Sequence, residues 1–490
     1  MSNTLRRRAL LQLLAMATAR AATGCCPETD GGTTSSGGNG PEVNRDVVIL
    51  GGGLAGLCSA YELRKRGYNV VAILEAQARV GGRVLTLRKG LKHGQYAEAG
   101  ATRIADTHNY TLAYAAELNL PLREFHTNEP ALYALKGKPP FIHADGDPWP
   151  SDVLGLSPEE QLLGPDPIIL GYENLAELGD PLQPDWPTGA ALAYNGLTIL
   201  DYLANRGASE DVMLLARAIN GSELPFDGAL YWLMADVVDA AWDRTYAIAG
   251  GNDRLPKAFA ASLGDLVKFE SVVTAIEQDQ TGVTVTFHSC GDRKTVRAHL
   301  CVCAIPFTML RTIDVFPAFS PAKLDVVNNV TMMPVSRCYL QTKSRFWNDM
   351  GIGSLKVART DTYIERLWDM TKVQDGDSGI LLAYMQGDNA EAFAQQPSAT
   401  RVNYVKAGVS PLFPEIDSEC SASLYKIWQN DPWVKGAWSY YKPNEMADMF
   451  PAAKKREGRI FFCGEHTSAW SGWMQGALES ANRVVSEIVS

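Results

Sequence analysis

Ligand pairs for a metal are missing from this chain. Seven histidines are scattered over 490 residues and the nine cysteines form no recurring Cys-x-x-Cys pairs, so no zinc or iron–sulfur spacing is present. Several cysteines sit in apolar runs, as Cys301 and Cys303 do in LCVCAIP. A chain of this length needs no disulfide staples, and they read as reduced, packed side chains. Positive charge is also in deficit. Lys and Arg number 45 against 55 Asp and Glu, a net charge of −10, which argues against a nucleic-acid partner, since that would require a basic stripe. No apolar run is long enough to span a bilayer. What remains is the composition of a large soluble globular protein, 46% apolar and 20% charged, enough for two or three packed regions.

The first residues follow different rules. Arg6, Arg7 and Arg8 precede the short apolar stretch ALLQLLAMATA, and small residues then lead into GGTTSSGGNG. Charge followed by a short apolar run reads as a targeting segment with a flexible linker over residues 1–43. The Arg7-Arg8-Ala9-Leu10-Leu11 run resembles a twin-arginine export signal, and ATGC over Ala22–Cys25 faintly resembles a lipoprotein processing site. Export to the periplasm or medium is the expectation, with a cytoplasmic tail as the alternative.

Chemistry begins at Asp46. The apolar run DVVIL fits a buried parallel strand and is followed at once by GGGLAGL and a helix-like run to Arg66. In this order Gly51 permits a tight turn, Gly53 lets the backbone approach a pyrophosphate, and Gly56 allows helix and strand to pack closely. The diphosphate would sit on the helix N-terminus, beside Leu54 and Ala55. A second strand, NVVAIL, ends in Glu75 and Ala76, with an acid for ribose hydroxyls roughly twenty residues past the turn. Arg79 and the Gly81-Gly82-Arg83 element follow, a second close-approach loop with a cation, as expected of FAD proteins rather than simple dehydrogenases. At the other end, RIFFCGEHTSAWSGWMQGALES reads as strand, glycine-flanked turn and helix. The helix N-terminus after Gly472, Trp473 and Met474 favours an anion, or a ring that becomes anionic on reduction.

Between these ends the character changes. Residues 128–190 are rich in Pro, Gly and Trp, and LTILDYLANRG and ALYWLMADVVDAAW read as helices. Residues 267–303 alternate with a period of two, as antiparallel strands do, and the stretch 335–440, with KSRFW, ERLWDM and GILLAYMQG, reads as the sheet that roofs a substrate.

The blocks GGGLAGL, EAQARVGGR, EAGATR (Glu98 to Arg103), GGNDRLP, KSRFW and GEHTSAWSGWMQGALES, in this order, make residues 45–490 resemble the flavin-dependent amine oxidases, and among them the L-amino-acid oxidases. The resemblance implies an α/β protein of two domains. A Rossmann-like FAD domain would comprise 44–84, 247–335 and 456–490, a mixed-sheet substrate domain 85–145 and 336–455, and a helical insertion 146–246. It further implies oxidation of a carbon–nitrogen bond, with the electrons passed to dioxygen. Arg103 would bind the substrate carboxylate, a task for which a bidentate guanidinium is suited. Trp438 and Trp473 would form an aromatic cage, and Gly472 would meet the substrate amine. Trp368 would be a second carboxylate contact, and Lys343 would hold a water near the flavin N5. For the cofactor the resemblance adds Gly100, Ala101, Thr102, Val273 on the adenine side, and Glu465 along the FAD chain. Monoamine oxidases carry a flavin-bonding cysteine where this chain has Ala437, so the FAD should be noncovalent.

Amine or polyamine oxidation and an amide-forming amino-acid monooxygenation stay open as alternatives. Side-chain preference also stays open. Trp232, Met234, Trp242 and Tyr246 would suit an apolar pocket, while Asp236, Asp239 and Asp243 would suit a basic substrate. A homo-oligomer is the default on symmetry grounds.

Overall fold

The computed structural model describes residues 45–125, 129–144, 147–162, 177–221, 227–239, 244–350 and 355–490. The proposed targeting segment, Trp242 and Asp243 lie outside them, as does the side chain of Asp239.

The predicted first strand is central to one sheet. Asp46–Leu50 pairs in parallel with Asn69–Leu74 on one side and Leu300–Cys303 on the other; Val267–Lys268 and Ile460–Phe462 complete a five-stranded parallel sheet. Its strands are short and almost wholly apolar because both faces are covered. One face receives the helix Leu54–Lys65, against which the C-terminal helix Met474–Val489 and the helix Arg254–Leu263 pack. Here the sequence reading needs correction. LCVC does not extend the antiparallel strands before it; it joins the central sheet in parallel, as its continuous apolar run permits. The alternating strands Val272–Gln278, Val283–Ser289 and Asp292–Ala298 do pair antiparallel, in a separate four-stranded sheet completed by Asp314–Phe316.

A seven-stranded sheet forms the other large layer. Its middle consists of Val335–Thr342, Gly379–Gln386 and Arg366–Asp369, mutually antiparallel. Side chains alternate between the faces of a strand, so Arg337 lies opposite Tyr384, which lies opposite Arg366, and Leu382 lies opposite Trp368. All five line one cavity, and it is the register of the three strands that sets them side by side. The segment 177–239 carries the helices Ile199–Asn205, Glu210–Asn220 and Ala229–Asp239. Thr198 caps the first with a capping box and Ser209 caps the second. Among the described residues no helix is long and apolar enough to cross a membrane.

A tight backbone joint lies beneath the glycine turn. A Cβ on Gly56 would stand 2.1 Å from the Gly51 carbonyl oxygen, a backbone atom that cannot yield cheaply. Gly56→Ala should therefore cost about 3 kcal/mol of stability. A urea melt checks this, and an unchanged midpoint would refute it.

Candidate active site

Residues of the central sheet and of the seven-stranded sheet line one continuous cavity. At one end Gly51, Gly53, Leu54 and Ala55 line it, with Glu75, Ala76, Gly81, Gly82, Arg83 and Val273. Gly51 adopts φ +101°, a conformation open to glycine. A Cβ on Gly53 would meet nothing within 4 Å, so the N-terminus of the Leu54–Lys65 helix faces open space with its first N–H groups unclaimed by the helix. Glu75 accepts hydrogen bonds from Gly52 N at 2.7 Å and Gln77 N at 2.8 Å. Burial raises its pKa against the pull of those bonds and of Arg79. The second glycine element docks on the first, with Gly81 N donating to the Gly52 carbonyl at 2.9 Å. A dinucleotide diphosphate fits this cradle: donors at a helix end, an acid for a ribose, and no Cβ in the way.

Gly100, Ala101, Thr102 and Arg103 line the same cavity, as do Glu465, Gly472, Trp473 and Met474. Glu465 is buried and bracketed on all sides. Arg83 donates to it, as do Gly472 N at 3.0 Å and the Ser471 hydroxyl at 3.1 Å. Burial opposes its ionisation, but Arg83 and the Gly472 N–H outweigh burial and hold the carboxyl below its usual range. The neighbouring His466 is driven by burial to about 3 and stays neutral. Trp438 packs against Gly472, whose added Cβ would meet the indole Cγ at 3.4 Å. Trp473 caps the C-terminal helix, and Met474, buried, opens it toward the cavity. A ring stacked here would have that positive helix end beside it.

Arg103 lines the same space with its guanidinium carbon 4.7 Å from the Trp368 ring centroid and 5.7 Å from that of Trp473. Stacking of this kind holds the planar group in one orientation. His108, buried, meets Trp473 edge-on at 4.8 Å from behind.

Three expectations do not match this placement. Lys343 is exposed, donates to the Ser418 carbonyl at 2.6 Å and does not line the cavity. It stands roughly 20 Å along the strand from the cavity; the cation this strand does present there is Arg337. Met234 is fully buried in the core and Trp232 packs against it, while neither they nor Tyr246 and Asp236 line the cavity. The substrate end is instead walled by sheet residues, Arg337, Arg366, Trp368, Leu382, Tyr384 and Gln386. Only Trp368 among these was singled out from sequence. An arginine inside an otherwise apolar strand, as in VSRCYL, was the available signal, since arginine is rarely buried without a partner. Gly56 lies below the cavity, in keeping with a packing role. None of the described cysteines lines the cavity, and Ala437 does.

The comparisons agree with this geometry. A profile described as flavin containing amine oxidoreductase matches residues 54–489. The Bacillus subtilis protein YobN is 28% identical over 466 residues, covering 91% of this chain and 94% of its own. An L-amino-acid oxidase of Vipera ammodytes ammodytes is 27% identical, with 89% and 91% covered. Among solved structures, wild-type putrescine oxidase bound to putrescine superposes with a TM-score of 0.79 at 20% identity, covering 92% of this chain and all of that one.

Glu98 supplies a pH test of the site's frame. Fully buried, it accepts bonds from Asn252 N and the Thr86 hydroxyl, and burial raises its pKa from 4.5 to about 8. The folded state thus binds a proton that the unfolded state has released, so the contribution is complete below about pH 4.5 and is lost as the pH rises toward 8. Stability should decline across that window, and Glu98→Gln should flatten the decline. Parallel slopes for both proteins in urea melts at pH 5 and pH 8 would overturn the assignment.

Proposed function

We propose, for a chain that belongs to the flavin-containing amine oxidoreductase family and carries FAD, that it oxidises L-amino acids, releasing a 2-oxo acid, ammonia and hydrogen peroxide. The observation that carries this reading is Arg103, which lines the cavity between the rings of Trp368 and Trp473. A simple amine offers nothing for a guanidinium placed there, and a carboxylate offers a bidentate partner. The likeness to an L-amino-acid oxidase over most of the chain supports the same reading, and the likeness to putrescine oxidase shows the fold alone.

When bound, FAD takes two electrons from the substrate and gives them to dioxygen, which leaves as hydrogen peroxide. The side chains supply position. Arg103 fixes the carboxylate, and Trp438 and Trp473 confine the Cα with few rotamers to lose. The Gly472 backbone sits where the neutral amine can meet it. The end of the Met474 helix favours negative charge beside it. Loss of a hydride from Cα and a proton from nitrogen gives an imino acid, and water then replaces its nitrogen, giving the 2-oxo acid and ammonia.

Removing the guanidinium should therefore separate acids from amines. In Arg103→Leu, kcat/KM for the best substrate of a twenty-amino-acid panel should fall by about 100-fold or more, while the corresponding decarboxylated amine should change by no more than about fivefold. Peroxide release measures both, and equal losses would remove Arg103 from carboxylate binding.

A further inference from the structure

Three arginines line the substrate end of the cavity, and one of them, Arg366, has the buried Glu365 at 3.5 Å. The other two are Arg103 and Arg337, whereas the two carboxylates that line the cavity among the described residues, Glu75 and Glu465, belong to its cofactor portion. Arg337 and Arg366 are each only 9% exposed. They lie on either side of Tyr384, with guanidinium carbons 4.8 and 4.9 Å from its ring centroid.

Each cation keeps one N–H, at Nε, without a partner among the described residues, although Arg337 is also hydrogen-bonded to Tyr339 and Tyr384. Arg337 spends one terminal nitrogen on the Glu98 and Gly100 carbonyls and the Thr102 hydroxyl, and its Nε has no partner among the described residues. Arg366 reaches Gln386, has Glu365 at 3.5 Å, and approaches the Ile219 carbonyl at 3.4 Å; its Nε is likewise unpartnered. A structural reading would have Arg366 cap the C-terminus of the Glu210–Asn220 helix. Arg359 already does so, donating to the same carbonyl at 3.1 Å. Buried guanidinium N–H groups without acceptors are costly, and of the six such Nε groups among the described residues these two are the ones that line the cavity, where a ligand can supply the acceptor.

Resting on the amino-acid oxidase reading above, we infer that the substrate is an L-amino acid whose short side chain ends in a second carboxylate, glutamate or aspartate, received by Arg366 and Arg337. Spacing agrees. Arg366 and Trp368 are alternate residues of one strand, roughly 7 Å apart, and Arg103 stands over the Trp368 ring. The two anion positions are therefore separated by about the length of a short amino dicarboxylic acid. An apolar side chain in the same place would desolvate two guanidinium groups and return nothing, which rejects it.

The test uses the full-length protein with FAD, mixed anaerobically with L-glutamate, L-aspartate, L-glutamine and L-leucine while flavin bleaching is followed. The better of the two acidic substrates should reduce the flavin with an efficiency about 30-fold or more above glutamine. In Arg366→Gln that preference for the acidic substrate over glutamine should shrink at least about tenfold. Leucine or glutamine matching the acidic substrates in the wild-type protein would overturn the inference and leave the oxidase reading intact. If no amino acid bleaches the flavin, the oxidase reading fails, and glutarate, which needs no turnover, decides the anion pocket. A flavin spectral shift on adding glutarate that is lost in Arg366→Gln supports the pocket, and no shift in the wild-type protein removes it.

Discussion

The Arg83–Glu465 ion pair joins parts of the chain that nothing local would bring together. Arg83 follows the second glycine element near the start and Glu465 opens the C-terminal turn, yet the two meet in the interior. Arg83 also donates to the Ala437 carbonyl, at 3.1 Å, next to Trp438, and Glu465 holds the N–H of Gly472. One buried pair thus ties together the cofactor loop, one aromatic wall and the turn that carries the other. Leaving either charge alone would cost about 3 to 5 kcal/mol, so the cavity walls keep their spacing as a unit.

From that joint the rest of the site follows by ordinary geometry. The parallel sheet delivers its glycine turn at the carboxyl ends of its strands, where open α/β sheets bind their ligands. The antiparallel sheet opposite presents alternate residues of three strands as a wall. The first surface is made of backbone donors and suits a diphosphate. The second is made of guanidinium groups and aromatic rings and suits carboxylates. On the function proposed above, redox chemistry and substrate choice fall to different layers, which meet where Arg103 stands over Trp368.

Much of the cofactor layer was legible before any coordinates. Gly51, Gly53, Gly56, Glu75 and the Gly81-Gly82-Arg83 element act through local backbone conformation, and the order strand, glycine, helix carries that information in consecutive residues. Residues of the family-like blocks, from Gly100 to Arg103 and from Glu465 to Met474, line the cavity for a similar reason, since each block is one continuous turn. The substrate layer was far less legible. Lys343 was singled out by its motif but stands beyond the end of its strand, and Trp232 and Met234 looked like pocket residues because a buried helix face and a pocket wall have the same apolar pattern.

The amino-acid sequence by itself determined the fold class, the cofactor cradle and Arg103 as a candidate anion ligand, because helix ends, glycine conformations and short turns depend on near neighbours. Only the tertiary structure decided that Arg337 and Arg366 converge on Tyr384, and that Lys343 does not reach the cavity. Strand register sets those contacts, joining Val335–Thr342 to Gly379–Gln386 and then to Arg366–Asp369. Register is a property of the paired sheet, in which one residue of slip would turn every one of these side chains to the opposite face.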